Sequence, residues 1–108
     1  MEEKKFETGN IYMSCGIRDR YFLQLDYEDS AFGPKFLFSR FIEYSLGRFL
    51  DADWGEIDPE VKKLNDEALD SGEGRLMAVY KYEITGEKIC IITESDRSAT
   101  TILFPSEY

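Results

Sequence analysis

The run Ile89-Cys90-Ile91-Ile92-Thr93 holds no charge and no turn residue, and polar segments bound it on both sides. An apolar run of this length, without alternation, reads as a strand buried on both faces, so it needs a neighbour on each side. The sequence supplies both. Arg75 to Glu83 (RLMAVYKYE) reads as the strand before it, joined through the hairpin connection Thr85-Gly86-Glu87-Lys88. Thr100 to Phe104 (TTILF) reads as the strand after it, reached through the polar loop Glu94 to Ser98 and ended by Pro105. Strands joined by connections this short form an antiparallel meander.

Two helices precede the meander. Pro34 suits a first helical turn. From there Leu37, Phe41 and Tyr44 form one row, and Phe38, Ile42, Leu46 and Phe49 form a second beside it. Together they make a wide apolar face, with Arg40 and Glu43 opposite and Arg48 ending the first row in solvent. This helix should stop by Asp51 to Gly55. The second helix has stronger punctuation: Asp58 as N-cap, Pro59 at the first position, Glu60 at the positive end of the dipole, and Ser71-Gly72 as the stop. Val61, Leu64, Ala68 and Leu69 give it a narrow apolar stripe. Nearer the start, Gly9-Asn10 signals a turn and Asn10 to Ser14 a short strand. Asp19 to Ser30 fits a strand or a helical turn equally, and Ala31 to Pro34 breaks it. Residues 1 to 5 read as a charged tail. The expected fold is α+β: a small two-layer domain of three to four antiparallel strands packed by two helices, with 1–108 as one domain.

Composition excludes several classes of function. The chain of 108 residues contains no His, which removes a Ser-His-Asp triad, a Cys-His pair, a His-ligated metal and a His general base. The two cysteines, Cys15 and Cys90, form no metal-binding pair and read as reduced, buried thiols. No metal and no cofactor is expected. A net charge of −9 argues against direct coating of nucleic acid and against attachment to anionic lipid. With no apolar stretch long enough to span a bilayer, and no apolar region after the charged start, the expected compartment is the cytoplasm.

The charge is localised. From Asp51 to Glu73 there are nine acids (Asp51, Asp53, Glu56, Asp58, Glu60, Asp66, Glu67, Asp70 and Glu73) against Lys62 and Lys63, a net of −7. Such a surface either keeps a small domain solvated or docks on a basic partner. Three other features each carry two readings. Glu94, Asp96, Arg97 and Ser98 would suit a divalent cation or a phosphate, or would simply form a strand-to-strand turn. Trp54, the only Trp, would plug the core edge or anchor an interface. Phe38 and Tyr44 on the aromatic helix are further candidate anchors. Tyr80 and Tyr82 face one side of their strand, either stacking bases or lining the core rim.

The residues also carry a resemblance. Asp53-Trp54-Gly55-Glu56, Leu64 to Leu69 (LNDEAL), Arg75-Leu76 with Tyr80, and Ile91 to Tyr108 (IITESDRSATTILFPSEY) resemble a family of short bacterial proteins carried on plasmids, phages and other mobile elements. Its pattern runs roughly GDWGE, then N, AL, RLLSAY and IWIITEADRSATTILLPEEY. The likeness covers about residues 51 to 108 and, more loosely, Phe6 to Ile17. The chain departs from the pattern where Arg48-Phe49 stands for Arg-His, where Ala52 precedes Asp53, and where Arg18 to Leu50 is longer and richer in aromatics. The family is mostly uncharacterised. The resemblance therefore implies a genomic setting, one that includes anti-defence proteins such as anti-CRISPR inhibitors. The function expected on this basis is a non-enzymatic inhibitor of a host defence system. It would bind a basic protein or ribonucleoprotein, such as a Cas effector, through the acidic surface. The alternatives are a metal-dependent nucleic-acid hydrolase using Glu94, Asp96 and Arg97, and a structural partner of another mobile-element protein.

Overall fold

A computed structural model describes residues 6–21 and 34–108. The readings of residues 1–5 as a tail, of the latter part of Asp19 to Ser30, and of the break at Ala31 to Gly33 lie outside these. The elements are β1 (Asn10–Met13), α1 (Cys15–Tyr21), α2 (Pro34–Leu50), α3 (Pro59–Ser71), β2 (Leu76–Lys81), β3 (Lys88–Thr93) and β4 (Ala99–Leu103), followed by a 3-10 turn at Pro105–Glu107. The fold is the expected small α+β arrangement, and β2, β3 and β4 form the antiparallel meander.

The sheet is mixed rather than purely antiparallel. Its strand order is β1-β4-β3-β2, and β1 runs parallel to β4, with Asn10 opposite Ala99 and Met13 opposite Ile102. The chain leaves β1 through α1 and returns only after α2, α3 and two strands, so no hairpin constrains its direction. A buried polar file fastens this junction. The Thr93 and Thr100 hydroxyls lie 2.7 Å apart, and the Thr100 hydroxyl donates to the Thr8 carbonyl. Gly9 takes φ +64, and a Cβ there would overlap the Ser98 carbonyl, so only glycine lets the two segments approach. At the far end of β1 the Glu107 carboxylate accepts from the Ser14 hydroxyl and the Gly16 N–H. These bonds hold Glu107 below the usual carboxylate range, Ser14 contributing most.

The main core lies on one face of the sheet. Ile17 of α1 and Phe38, Ile42 and Phe49 of α2 pack against Leu76, Ala78, Tyr80, Ile89, Ile91 and Ile102. Of the two rows proposed for α2, the second faces inward, while Leu37 and Tyr44 of the first are exposed. Arg48 does not end its row in open solvent. It forms a two-pronged ion pair with Asp53 and lies over the Tyr80 ring. The opposite face carries a smaller cluster of Cys90, Ile92 and Leu103, which gives β3 the double burial expected of it. Both cysteines are free thiols, but Cys15 is exposed rather than buried. α1 is a third helix beyond the two expected, and only its last three residues, Asp19 to Tyr21, fall in the segment that fitted a strand or a helical turn equally.

Candidate functional site

Four of the nine acids of the expected surface, Glu60, Asp66, Glu67 and Asp70, lie on α3, whose position is set by β2. Met77 and Val79 turn their backbone groups outward, because β2 is an edge strand. Asn65, buried on α3, donates to the Met77 carbonyl at 2.7 Å and accepts the Met77 N–H at 3.1 Å. Two residues along, Val79 N–H donates to the Trp54 carbonyl and the Glu56 N–H donates to the Val79 carbonyl. Gly55 makes this approach possible. Its φ is +73, and a Cβ there would strike the Val79 carbonyl. The segment Trp54 to Glu56 thus serves as a short parallel rung on β2. An edge that would otherwise recruit another chain is closed by a side chain and a rung of backbone.

This docking corrects the stripe expected on α3. Leu64 is exposed, and Asn65 takes the inward position beside Ala68. An amide with one acceptor and two donors can satisfy both halves of an outward peptide group, which leucine cannot. Trp54 is 4% exposed and packs between Phe6 and Phe49, its indole N–H donating to Asp66. Phe38 is 1% exposed. Neither presents surface to a partner, so both are core residues rather than interface anchors. Tyr44, at 70% exposed, is the one of the three that faces solvent. Tyr80 and Tyr82 are buried as well, with the Tyr80 hydroxyl donating to the Asp53 carbonyl. Burial pushes the Tyr80 phenol well above its ordinary range, and bases have no face of either ring to stack on.

The Glu94 to Ser98 loop is built into the frame. Arg97 takes φ +62, and its Nη1 donates to the carbonyls of Gly74, Glu94 and Ser95 while its Nη2 donates to that of Ala68. One guanidinium therefore ties the β3–β4 turn to the C-terminal turn of α3. It also places positive charge at the negative end of that helix. Asp96 accepts the Ser98 N–H in a local turn, and the Ser98 hydroxyl, followed by that N–H, lowers its pKa. Glu94 lies 3.7 Å from Arg75. Among the described residues, no three His, Cys, Asp or Glu side chains gather in a metal-binding group.

All nine acids from Asp51 to Glu73 are exposed. Three take part in ion pairs: Asp53 with Arg48, Asp66 with Lys62, and Glu56 with Lys88. Arg48 is the main cause of the lowered Asp53 pKa, and Lys62 the main cause of the lowered Asp66 pKa. Asp51, Asp58, Glu60, Glu67, Asp70 and Glu73 make no ion pair among the described residues. Asp58 stands at the N-cap in extended conformation without a side-chain capping bond, so its charge remains available. Glu60, Lys63, Glu67 and Asp70 share the outward side of α3 by their three- and four-residue spacing. The last turn of the helix holds no basic residue, and Asp70 lies there against the helix dipole. An open groove of about 770 Å³ runs along α3 between Pro59 and Asp70, with Lys62, Asp66 and Leu69 in its lining.

No family model, no curated protein and no solved structure matches this chain. No helix among the described residues is long and apolar enough to cross a membrane.

Proposed function

We propose that the chain is a non-catalytic binding protein that docks a basic protein or ribonucleoprotein surface onto the outer side of α3 and its approach. In the mobile-element setting implied by the resemblance, the partner is a component of host defence such as a Cas effector. Six acids between Asp51 and Glu73 without an ion pair among the described residues carry this reading. Charge placed only for stability would favour the N-terminal end of the helix and leave Asp70 out of its last turn. Clustered, unneutralised charge raises encounter rates with a basic surface and discriminates against acidic ones.

The resembling motifs support the same division of labour. Asp53, Trp54, Gly55 and Glu56 close the β2 edge, while Arg97 and Thr100 fasten the turn and the β1–β4 junction. These residues maintain the scaffold and leave recognition to the exposed acids. Purified guide-RNA effectors, immobilised with and without guide RNA, provide the direct test. Association should slow more than tenfold when Asp58, Glu60 and Asp70 are changed together to lysine, and should weaken steeply with salt. Lack of binding to any effector, together with unchanged plasmid or phage targeting in cells expressing the chain, would remove the defence reading.

A further inference from the structure

The two edges of the sheet are finished differently. β2 is sealed by Asn65 and by the Trp54 to Glu56 rung. β1 has no such cover among the described residues. The N–H groups of Asn10 and Ser14 point inward to the Ser98 and Ile102 carbonyls of the β4 side. By the alternation of a parallel ladder, the backbone groups of Ile11 and Met13 point outward. Ile11 is 44% and Tyr12 51% exposed. The strand Asn-Ile-Tyr-Met contains no charge and no proline, so the usual guards of an edge strand are missing.

We infer that β1 pairs with β1 of a second copy, antiparallel across a two-fold axis at Tyr12, making one continuous eight-stranded sheet. In that register Ile11 of each copy exchanges both backbone hydrogen bonds with Met13 of the other, and the two Tyr12 residues face each other as a non-hydrogen-bonded pair. Charge favours a second copy as the occupant. In a two-fold pair the residue on the axis meets its own copy and its neighbours lie diagonally close to theirs, so a charged strand repels itself. β1 is uncharged, and Phe6 to Arg20 carries two acids (Glu7 and Asp19) against two bases (Arg18 and Arg20). The segment of net −7 lies beside β2, at the opposite edge of the sheet. Joining at β1 keeps the two acidic faces at the far ends of the dimer. A basic foreign segment would be drawn to α3 instead. This inference does not depend on the docking function.

Sedimentation from micromolar to millimolar protein should show the average mass rising towards twice that of one chain. Amide exchange at Ile11 and Met13 should slow at least tenfold over the same range. Ile11→Pro removes an outward N–H that makes no bond among the described residues, and Ile11→Lys sets like charges beside the axis. Both should hold the protein at one chain, with exchange at β3 unchanged as the check on folding. In a Cys15→Ser background, Tyr12→Cys should give an interchain disulfide with oxidised glutathione as oxidant, because cysteines facing across the axis lie within bridging range. A mass that stays at one chain up to millimolar overturns the proposal. So does a dimer that both Ile11 variants leave intact, or protection of the β1 amides that appears only when another extended peptide is added.

Discussion

The Glu94 to Ser98 turn and the outer side of α3 are both dense in charge, and both look like sites in the sequence. They differ in what their charges do. In the turn, Arg97 is committed to four backbone carbonyls and Asp96 to the turn's own amide. On α3 most of the acids neutralise nothing. The contrast teaches that a cluster of polar residues becomes a candidate for recognition only after its internal obligations have been subtracted.

Arg97 offers the hardest test of that contrast. Arg97→Met should cost about 3 kcal/mol in urea unfolding, because several partly buried carbonyls lose a charged donor at once. Arg97→Lys should recover less than half of this loss, since an ammonium cannot span the same fork. A loss below about 0.5 kcal/mol would mean that the turn does not depend on its arginine, and the residue would return to the list of candidate functional groups. Next in size, Asn65→Leu should cost about 1–2 kcal/mol although it increases apolarity, since the Met77 peptide groups lose both partners. Slower exchange of the Met77 amide in this variant would contradict the edge-sealing role.

A smaller effect reads the arginine-paired acids by pH. Arg20 bonds hold Glu87 below the usual carboxylate range, as Arg48 does for Asp53. A carboxylate with a lowered folded pKa contributes stability that is complete above its unfolded value, about 4.3 for Glu, and is lost as pH falls through the lowered value. Arg20→Met should therefore flatten the fall in stability from about pH 5 to pH 3. The smallest expected effect has the opposite sign. Asp70→Asn should raise stability by about 0.3–0.5 kcal/mol at low salt, by removing a like charge from the helix C-terminus. If it also weakens effector binding, then stability and recognition oppose each other at this residue.

The sequence revealed what local chemistry dictates. Asp58-Pro59 and Ser71-Gly72 bracket α3 because both ends rely on adjacent residues, and short apolar runs bounded by turn and loop residues give β2, β3 and β4 for the same reason. Long-range satisfaction was not legible. Hydropathy turns Leu64 inward, yet Asn65 is buried, because the outward peptide groups of Met77 demand an amide that the α3 pattern does not announce. The direction of β1 depends on β4, with no turn between them to indicate it. Arg97 read as part of a cation or phosphate site or of a plain turn, and only the convergence of the Ala68 and Gly74 carbonyls explains its choice. In the candidate site, the location of the charge could be read from the sequence, but which acids have ion-pair partners could not.

The placement of β1 against β4 also sets an order of events. The bond between Ser14 and Glu107 spans 93 residues, and the ladder beside it brings together segments near opposite ends of the chain. The entropy of closing so long a loop is recovered only once β4 has paired with β3. During synthesis α3 and the β2–β3 hairpin can assemble while β1, made earlier, still waits for β4 to leave the ribosome. Between the pairing of β4 with β3 and the docking of β1 the β4 edge is open, and any extended segment of a neighbouring nascent chain competes for it.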